Sequence, residues 1–493
     1  MFIVVPYLTS EPVTYGIYTV CISISIFLAY ADLGFLGAGQ KYAAEYFAKG
    51  DRQEEIQVIG FTNFILLVFL ALFSVGFLIL SFHPEFLIKD LAPGKQEMIA
   101  SSLLLILALF TPVTLLQRLL QMIYGIRLED YIIQRTNIVA SLLKIVSVLW
   151  FFRNGEYNIV GYFLFVQIVN LLAAFITLLI ARKRYNYDFN ALLRSIHFNR
   201  RVFTKTKTLA FTSLYLTFTW ILYYELDPTV IGKFLGPNHV AIYAIGLTVL
   251  SFFRSILGIL FSPFNARFNH FIGIGDEEGL RLIYSKVTTI LAPIVVIPIV
   301  TITLLISPLI LSWVGVNYVD SVEITQYLIL CNIFAFITYP TSIFLMAKER
   351  IKEIFLISTL IPIIYWTGII STYHFFGLKS FAIFKLIAFG ASAIGYYFIM
   401  IRFLKINTFR SLKEFFLPML LPILFLIGVS HLIIDHLPVE KSKINLLIVS
   451  VTATLLLTIA FVIQYLMSSN IRSTLKGIIP ILSANSKRSK NNT

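Results

Sequence analysis

The sequence predicts an all-α polytopic membrane protein of about fourteen transmembrane helices, and three observations predict it. Apolar residues make up 58% of the 493-residue chain against 13% charged, with a mean hydropathy of +0.86. An ordinary soluble domain carries about 45–50% apolar and about 25% charged residues. The apolar residues fall in runs of about 20 or more, long enough as helices to cross a hydrocarbon core of about 30 Å. The basic residues crowd into alternate loops, as the positive-inside rule requires of a multi-pass chain.

Read by hydropathy, the spans fall at roughly 15–38, 58–82, 98–123, 133–152, 159–181, 208–232, 240–263, 287–312, 323–346, 354–376, 382–403, 415–434 and 444–467. Residues 1–8, MFIVVPYL, read as the tail of one more. Short charged loops separate the spans. Alternate loops, beginning with 39–57 and ending with the tail from 468, hold 28 of the 39 lysines and arginines, and the opposite loops hold 7. That bias places the first set in the cytoplasm, including the segment RKRYNYDFNALLRSIHFNRRVFTKTK and the C-terminus. The net charge of +14 needs no nucleic-acid partner, because topogenic loops account for it.

The stretch DLGFLGAGQKYAAEYFAKGD (32–51) has the look of a phosphate loop. It departs from GxxxxGK[ST], since Gln40 separates Gly39 from Lys41 and Tyr42 stands where a hydroxyl would hold Mg²⁺. Its expected place is the membrane exit of the first complete span, with Lys41 opening an amphipathic cytoplasmic segment and the glycines allowing close helix packing. No other nucleotide motif, HExxH, CxxC pair or nucleophile elbow occurs. Cys21 and Cys331 lie in apolar runs as small hydrophobes. The chain reads as no enzyme, and no metal or cofactor is expected.

A shift of 225 residues superimposes two segments without a gap. Pro12, Ile17, Tyr18, Phe27, Gly50, Asp51, Ile65 and Leu66 meet Pro237, Ile242, Tyr243, Phe252, Gly275, Asp276, Ile290 and Leu291. The loop residues match at both ends and the orientation is retained, so the repeat is parallel. Repeats of this kind place a substrate site between halves near the bilayer midplane. Under the same shift Met1 corresponds to Leu226, whereas the matching second-half helix is expected from about Thr208. The first helix is therefore read as truncated by about 18 residues, MFIVVPYL covering only about 12 Å.

TSEPVTYGIYTV followed by ADLGFLGAGQKYAAEYFAKGD resembles the start of the Wzx-type polysaccharide flippases of the multidrug/oligosaccharidyl-lipid/polysaccharide transporter superfamily. Looser features of the same pattern recur at 235–291. The resemblance implies two six-helix lobes plus a C-terminal helix pair, in the V-shaped layout of the MATE transporters. Residues 1–181 would form the first lobe, 182–207 a basic cytoplasmic linker, 208–403 the second lobe, 404–467 the extra pair and 468–493 a basic cytoplasmic tail. It also implies transfer of an undecaprenyl-pyrophosphate-linked oligosaccharide from the inner to the outer leaflet of the bacterial cytoplasmic membrane by alternating access. H⁺ or Na⁺ is the candidate coupling ion, and the polysaccharide polymerase machinery a candidate partner. A cation-coupled drug antiporter and a lipid II flippase of the same superfamily remain alternatives. A membrane glycan polymerase or ligase is disfavoured, because the longest outer loop, HPEFLIKDLAPGKQE, carries no carboxylate pair at catalytic spacing.

Seven charged residues inside spans are the candidate site. Arg118, Lys144, Arg254 and Lys385 would give a cationic cavity suited to a pyrophosphate or acidic sugar, with arginine as a fork and lysine as a point charge. A cation at the centre of a span costs roughly 2.5–3.5 kcal/mol, so each needs a partner, water or a route to the surface. Arg118 and Lys385 lie near helix ends, where snorkelling is an alternative, and Lys144 is the deepest. Glu225 and Asp227 are candidate ion-coupling carboxylates, or else headgroup-zone charges beside a bend at Pro228, and Asp32 is a third acidic candidate.

Overall fold

The computed structural model describes residues 3–153, 156–468 and 471–473; the expected basic tail beyond 468 lies almost wholly outside them. Helices dominate, and no strand occurs among the described residues. Internal contacts divide the chain into two units, residues 1–244 and 245–493. The first unit holds α1 (Val5–Leu8), α2 (Pro12–Ala29), α3 (Phe35–Ala48), α4 (Arg52–Phe82) and α5 (Lys95–Ile126). It continues with α6 (Tyr131–Phe151), α7 (Ile159–Tyr185), α8 (Phe189–Arg194), α9 (Arg200–Tyr224) and α10 (Asp227–Leu235). The second holds most of α11 (Pro237–Gly273), then α12 (Glu277–Leu304), α13 (Ile306–Val314), α14 (Ser321–Leu330) and α15 (Ala335–Ala347). It ends with α16 (Ile351–Phe376), α17 (Lys379–Leu404), α18 (Thr408–Ser411), α19 (Leu417–Ile433) and α20 (Lys443–Met467).

Ten helices among the described residues are long and apolar enough to span a bilayer, eleven if α14 and α15, bent by 45° at their junction, make one broken span. The apolar part of α2 is shorter. The outer faces are hydrocarbon: Leu72, Leu109, Ile259, Ile370 and Leu432 are all strongly exposed. An aqueous monomer does not present so continuous an apolar surface. Lipid is the solvent of these faces, and the chain is a multi-pass membrane protein.

The internal repeat is written into the helix boundaries. Pro12 and Pro237 each open a helix, and Ala48 and Gly273, again 225 apart, each close one. Gly50 and Gly275 then turn the chain with φ of 75° and 74°, a conformation glycine adopts without strain. Asp51 and Asp276 cap the helices that follow, accepting from Glu54 N at 3.1 Å and Gly279 N at 2.8 Å. Between these matched ends the copies differ. The second is one continuous helix, whereas the first breaks between Ala29 and Phe35.

That break corrects the expected span 15–38 and the place given to DLGFLGAGQK. Leu33 and Gly34 take positive φ of 49° and 78°, and the Asp32 carboxylate accepts from Leu36 N at 3.0 Å, starting α3. Lys41 therefore sits inside α3 rather than at the head of a new segment. Hydropathy missed the turn because apolar Leu33 and Gly34 make it. The glycines do not act alike. A Cβ on Gly34 would lie 2.3 Å from Ala210 O and one on Gly39 2.2 Å from Thr62 Oγ1, while Gly37 faces open space. Only the first two are close-packing positions.

The expected span 208–232 is also redrawn. α9 starts at Arg200, ends at Tyr224 and is not among the helices apolar enough to span. Its sequence, RRVFTKTKTLAFTSLYLTFTW, is dense in threonine and base. Pro228 stands in the first turn of α10, so it opens a new helix instead of bending an old one. The 287–312 and 323–346 spans likewise break, at Leu305 and between Leu330 and Ala335. Under the repeat, α1 corresponds to α10 and not to the long α9. In the second unit the C-terminal pair is held by its own core, where Leu426, Ala453, Leu456 and Ala460 pack against Ile297 and Leu305.

Candidate functional site

A cavity of about 660 Å³ lies inside the first unit, walled by α2, α3, α5, α6 and α7. Its polar lining follows from helical spacing. On α5, Thr114, Gln117 and Gln121 recur at steps of three and four; on α7, Gln167, Asn170, Ala174 and Thr177 do the same. Such steps set side chains on one helix face. Gln134 and Asn137 of α6 and Gln40 of α3 complete a wall of carboxamides, with Leu107, Phe110 and Val113 as the apolar part. Gln40 reaches its place because residue 125 of α5 is glycine: a Cβ there would lie 2.2 Å from Gln40 Nε2.

Two of the predicted cations belong to this cavity. Arg118 is on its wall and donates to Gln121 Oε1 at 3.1 Å. Lys144, half-buried on α6, donates from Nζ to Asn170 Oδ1 at 2.5 Å. Asn170 is itself a wall residue and donates weakly to Gln167 Oε1 at 3.4 Å. Lys144 therefore acts on the cavity through an amide.

The loop after α5 carries Asp130 to the cavity and is clamped from several sides. Arg127, almost fully buried, donates to Glu55 Oε1 at 2.7 Å and to Ile123 O at 2.8 Å. Its guanidinium lies 4.7, 5.0 and 5.4 Å from the ring centres of Phe47, Tyr185 and Tyr187, a cation–π box of the kind arginine favours. Glu129 accepts both arms of the Arg184 fork at 2.7 Å, and the Tyr185 hydroxyl. Those hydrogen bonds, Arg184 first, hold the Glu129 carboxyl down at about 2.

The other predicted residues stand apart from this cavity. Arg254, on α11, and Lys385, on α17, belong to the second unit and are not on its walls. Lys385 is fully buried, with its ammonium 5.3 Å from the Tyr365 ring centre, so it does not snorkel. Asp227 is fully buried at the start of α10 and accepts from Tyr243 Oη at 2.7 Å. Glu225, two residues earlier, is half-buried at the end of α9. The Asp32 carboxylate serves the start of α3. Among the described residues no group of three or more His, Cys, Asp or Glu is placed to hold a metal ion.

Sequence reasoning looked for charge and passed over the amides. The signal was present: Gln117 with Gln121 and Gln167 with Asn170 are polar pairs at helical spacing inside apolar runs, and Gln134 and Asn137 repeat the spacing at the start of α6. A neutral side chain does not register in a search for buried ions.

Fold and cavity together define a multi-pass α-helical membrane protein with a repeated helical unit and a polar chamber inside the first half. Its fold is that of a lipid II flippase, MurJ, in an inward closed conformation, to which it is similar with a TM-score of 0.67 at 15% identity over 94% of this chain and 97% of that one. It is also similar to a multidrug resistance MATE family transporter of the MOP superfamily, with a TM-score of 0.63 at 13% identity over 82% of this chain and 94% of the other. No family model matches the sequence, and no curated protein matches it.

Proposed function

We propose that this protein is a flippase of the bacterial cytoplasmic membrane. It moves an undecaprenyl-pyrophosphate-linked oligosaccharide from the inner to the outer leaflet by alternating access, with its C-terminus in the cytoplasm. The observation that carries the reading is the cavity of the first unit. It combines Arg118, and Lys144 acting through Asn170, with a wall of uncharged amides. A lipid-linked glycan has both matching parts, an anionic diphosphate and a polyhydroxylated head. A hydrophobic cationic drug has neither; it would meet Asp130 on these walls, but together with Arg118 and a wall of amides rather than an acidic pocket.

The likeness to a lipid II flippase adds support, since lipid II is itself a lipid-linked substrate. That likeness also takes in more of this chain than does the likeness to the MATE transporter. Arg254 and Lys385 are proposed as further substrate cations of the second half. Asp227, Glu225 and Asp32 are proposed as carboxylates through which H⁺ or Na⁺ would couple.

The test is deletion of the gene, with lipid-linked oligosaccharide profiled in the cytoplasmic leaflet. Accumulation there with loss of surface polysaccharide supports the flippase. Normal surface glycan with altered drug tolerance would replace it with the cation-coupled exporter, and accumulation of lipid II would replace it with a peptidoglycan-precursor flippase.

A further inference from the structure

Polar side chains in transmembrane helices usually act as glue, hydrogen-bonding from one helix to the next. Among the amides of this cavity Asn170 does so, taking a bond from Lys144 of α6, but most of the others do not. Among the described residues the side chains of Gln117, Gln134 and Asn137 hydrogen-bond to no other protein group, and all three are exposed to the cavity. Gln121 has only Arg118, on its own helix. Gln117 and Gln121 of α5 and Gln134 and Asn137 of α6 thus make no hydrogen bond to another helix. Their donors and acceptors stay open toward a chamber of about 660 Å³, within the range of about 300–1,000 Å³ typical of small-molecule sites.

The chemistry of the lining says what that occupant is. Each carboxamide offers one acceptor oxygen and two donor hydrogens and carries no charge. A ring of them complements a ligand whose hydroxyls both donate and accept at many points. Phe110, Leu107 and Val113 supply an apolar patch on the same chamber for the C–H face of a sugar ring. We infer that the Gln117, Gln121, Gln134, Asn137, Gln167 and Asn170 wall is a saccharide-binding subsite that reads the hydroxyl pattern of the glycan, separately from recognition of the diphosphate. Lys144 is a positioning residue in this subsite: its bond to Asn170 Oδ1 fixes which end of that amide faces Lys144 and leaves the Asn170 NH₂ on the side of Gln167. The inference rests on the lipid-linked glycan reading. It adds that sugar specificity resides in the first unit and is carried by uncharged residues.

The full chain in lipid nanodiscs is titrated calorimetrically with three probes drawn from membranes of the host. They are the lipid-linked oligosaccharide fraction, the water-soluble glycan released from it by mild acid, and undecaprenyl pyrophosphate. The released glycan binds the wild-type protein, and Gln134→Leu with Asn137→Leu weakens that binding about tenfold, as loss of two net hydrogen bonds implies. Undecaprenyl pyrophosphate binds both proteins alike. Gln134→Glu with Asn137→Asp keeps the side-chain shapes but removes the NH₂ donors; it weakens glycan binding as well and serves if the leucine pair does not fold. Lys144→Met lowers affinity for the released glycan, and Lys144→Arg restores part of it. If the lipid-linked probe binds but released glycan does not, or binds every variant equally, the subsite is wrong and the flippase reading stands. If none of the three probes binds the wild-type protein, both fall.

Discussion

Arg127 and Glu55 form a buried ion pair, 2.7 Å from Nη2 to Oε1 with the two side chains 5% and 0% exposed. The pair ties the end of α5 to the start of α4, and the Phe47, Tyr185 and Tyr187 rings close over the guanidinium. Three residues further along, Asp130 reaches the cavity. The geometry of the chamber on that side therefore depends on a contact outside it.

Removing Glu55 leaves Arg127 buried without its carboxylate, at a cost of about 3–5 kcal/mol, whereas removing Arg127 leaves Glu55 the longer contact to Arg52 at 3.8 Å. Glu55→Ala and Arg127→Ala should each lower the unfolding midpoint in detergent sharply. Glu55→Leu with Arg127→Met should lose much less, because apolar replacement of both charges removes the unpaired one. Equal losses in single and double variants would show that packing, not charge, holds the loop.

The Glu129 carboxyl, held at about 2 against an ordinary value of 4.5 by Arg184 and then Tyr185, has a predictable pH signature. A lowered folded-state value means that the contribution is fully present above about 4.5 and is lost as pH falls toward about 2. Glu129→Gln should unfold at a lower temperature than wild type at pH 7, and the gap should narrow at pH 3. A gap independent of pH would place the effect in shape rather than ionisation.

Three glycines of DLGFLGAG should separate cleanly. Gly34→Ala forces a side chain into a positive φ and against Ala210 O, and should cost at least about 1 kcal/mol. Gly39→Ala meets Thr62 Oγ1 and should also destabilise. Gly37→Ala, facing open space, should stay within about 0.5 kcal/mol of wild type. The same scanning fluorimetry reads all three.

Asp227→Asn keeps an acceptor for the Tyr243 hydroxyl while removing the charge. The variant should fold with a midpoint close to wild type yet show reduced gradient-driven transport in proteoliposomes, and Glu225→Gln with Asp227→Asn a larger loss. Unchanged transport in the double variant would remove both carboxylates from coupling.

The sequence by itself determined the class of this protein, most of its long apolar helices and the register of its repeat. Those properties are local: an apolar run that must satisfy its own backbone in hydrocarbon becomes a helix wherever it lies. The Gly-Asp pairs at 50–51 and 275–276 turn and cap the chain through contacts a few residues away. Only the tertiary structure decided that residues 30–34 break one copy of a helix that the other copy carries through, since Gly34 is fixed against Ala210, far along the chain. It alone also set Lys144 on Asn170 and gathered the amides of α3, α5, α6 and α7 around one chamber. Hydropathy records how much each residue avoids water, whereas a binding wall depends on which helix faces meet. That is settled by packing between segments tens of residues apart, and no single segment carries it.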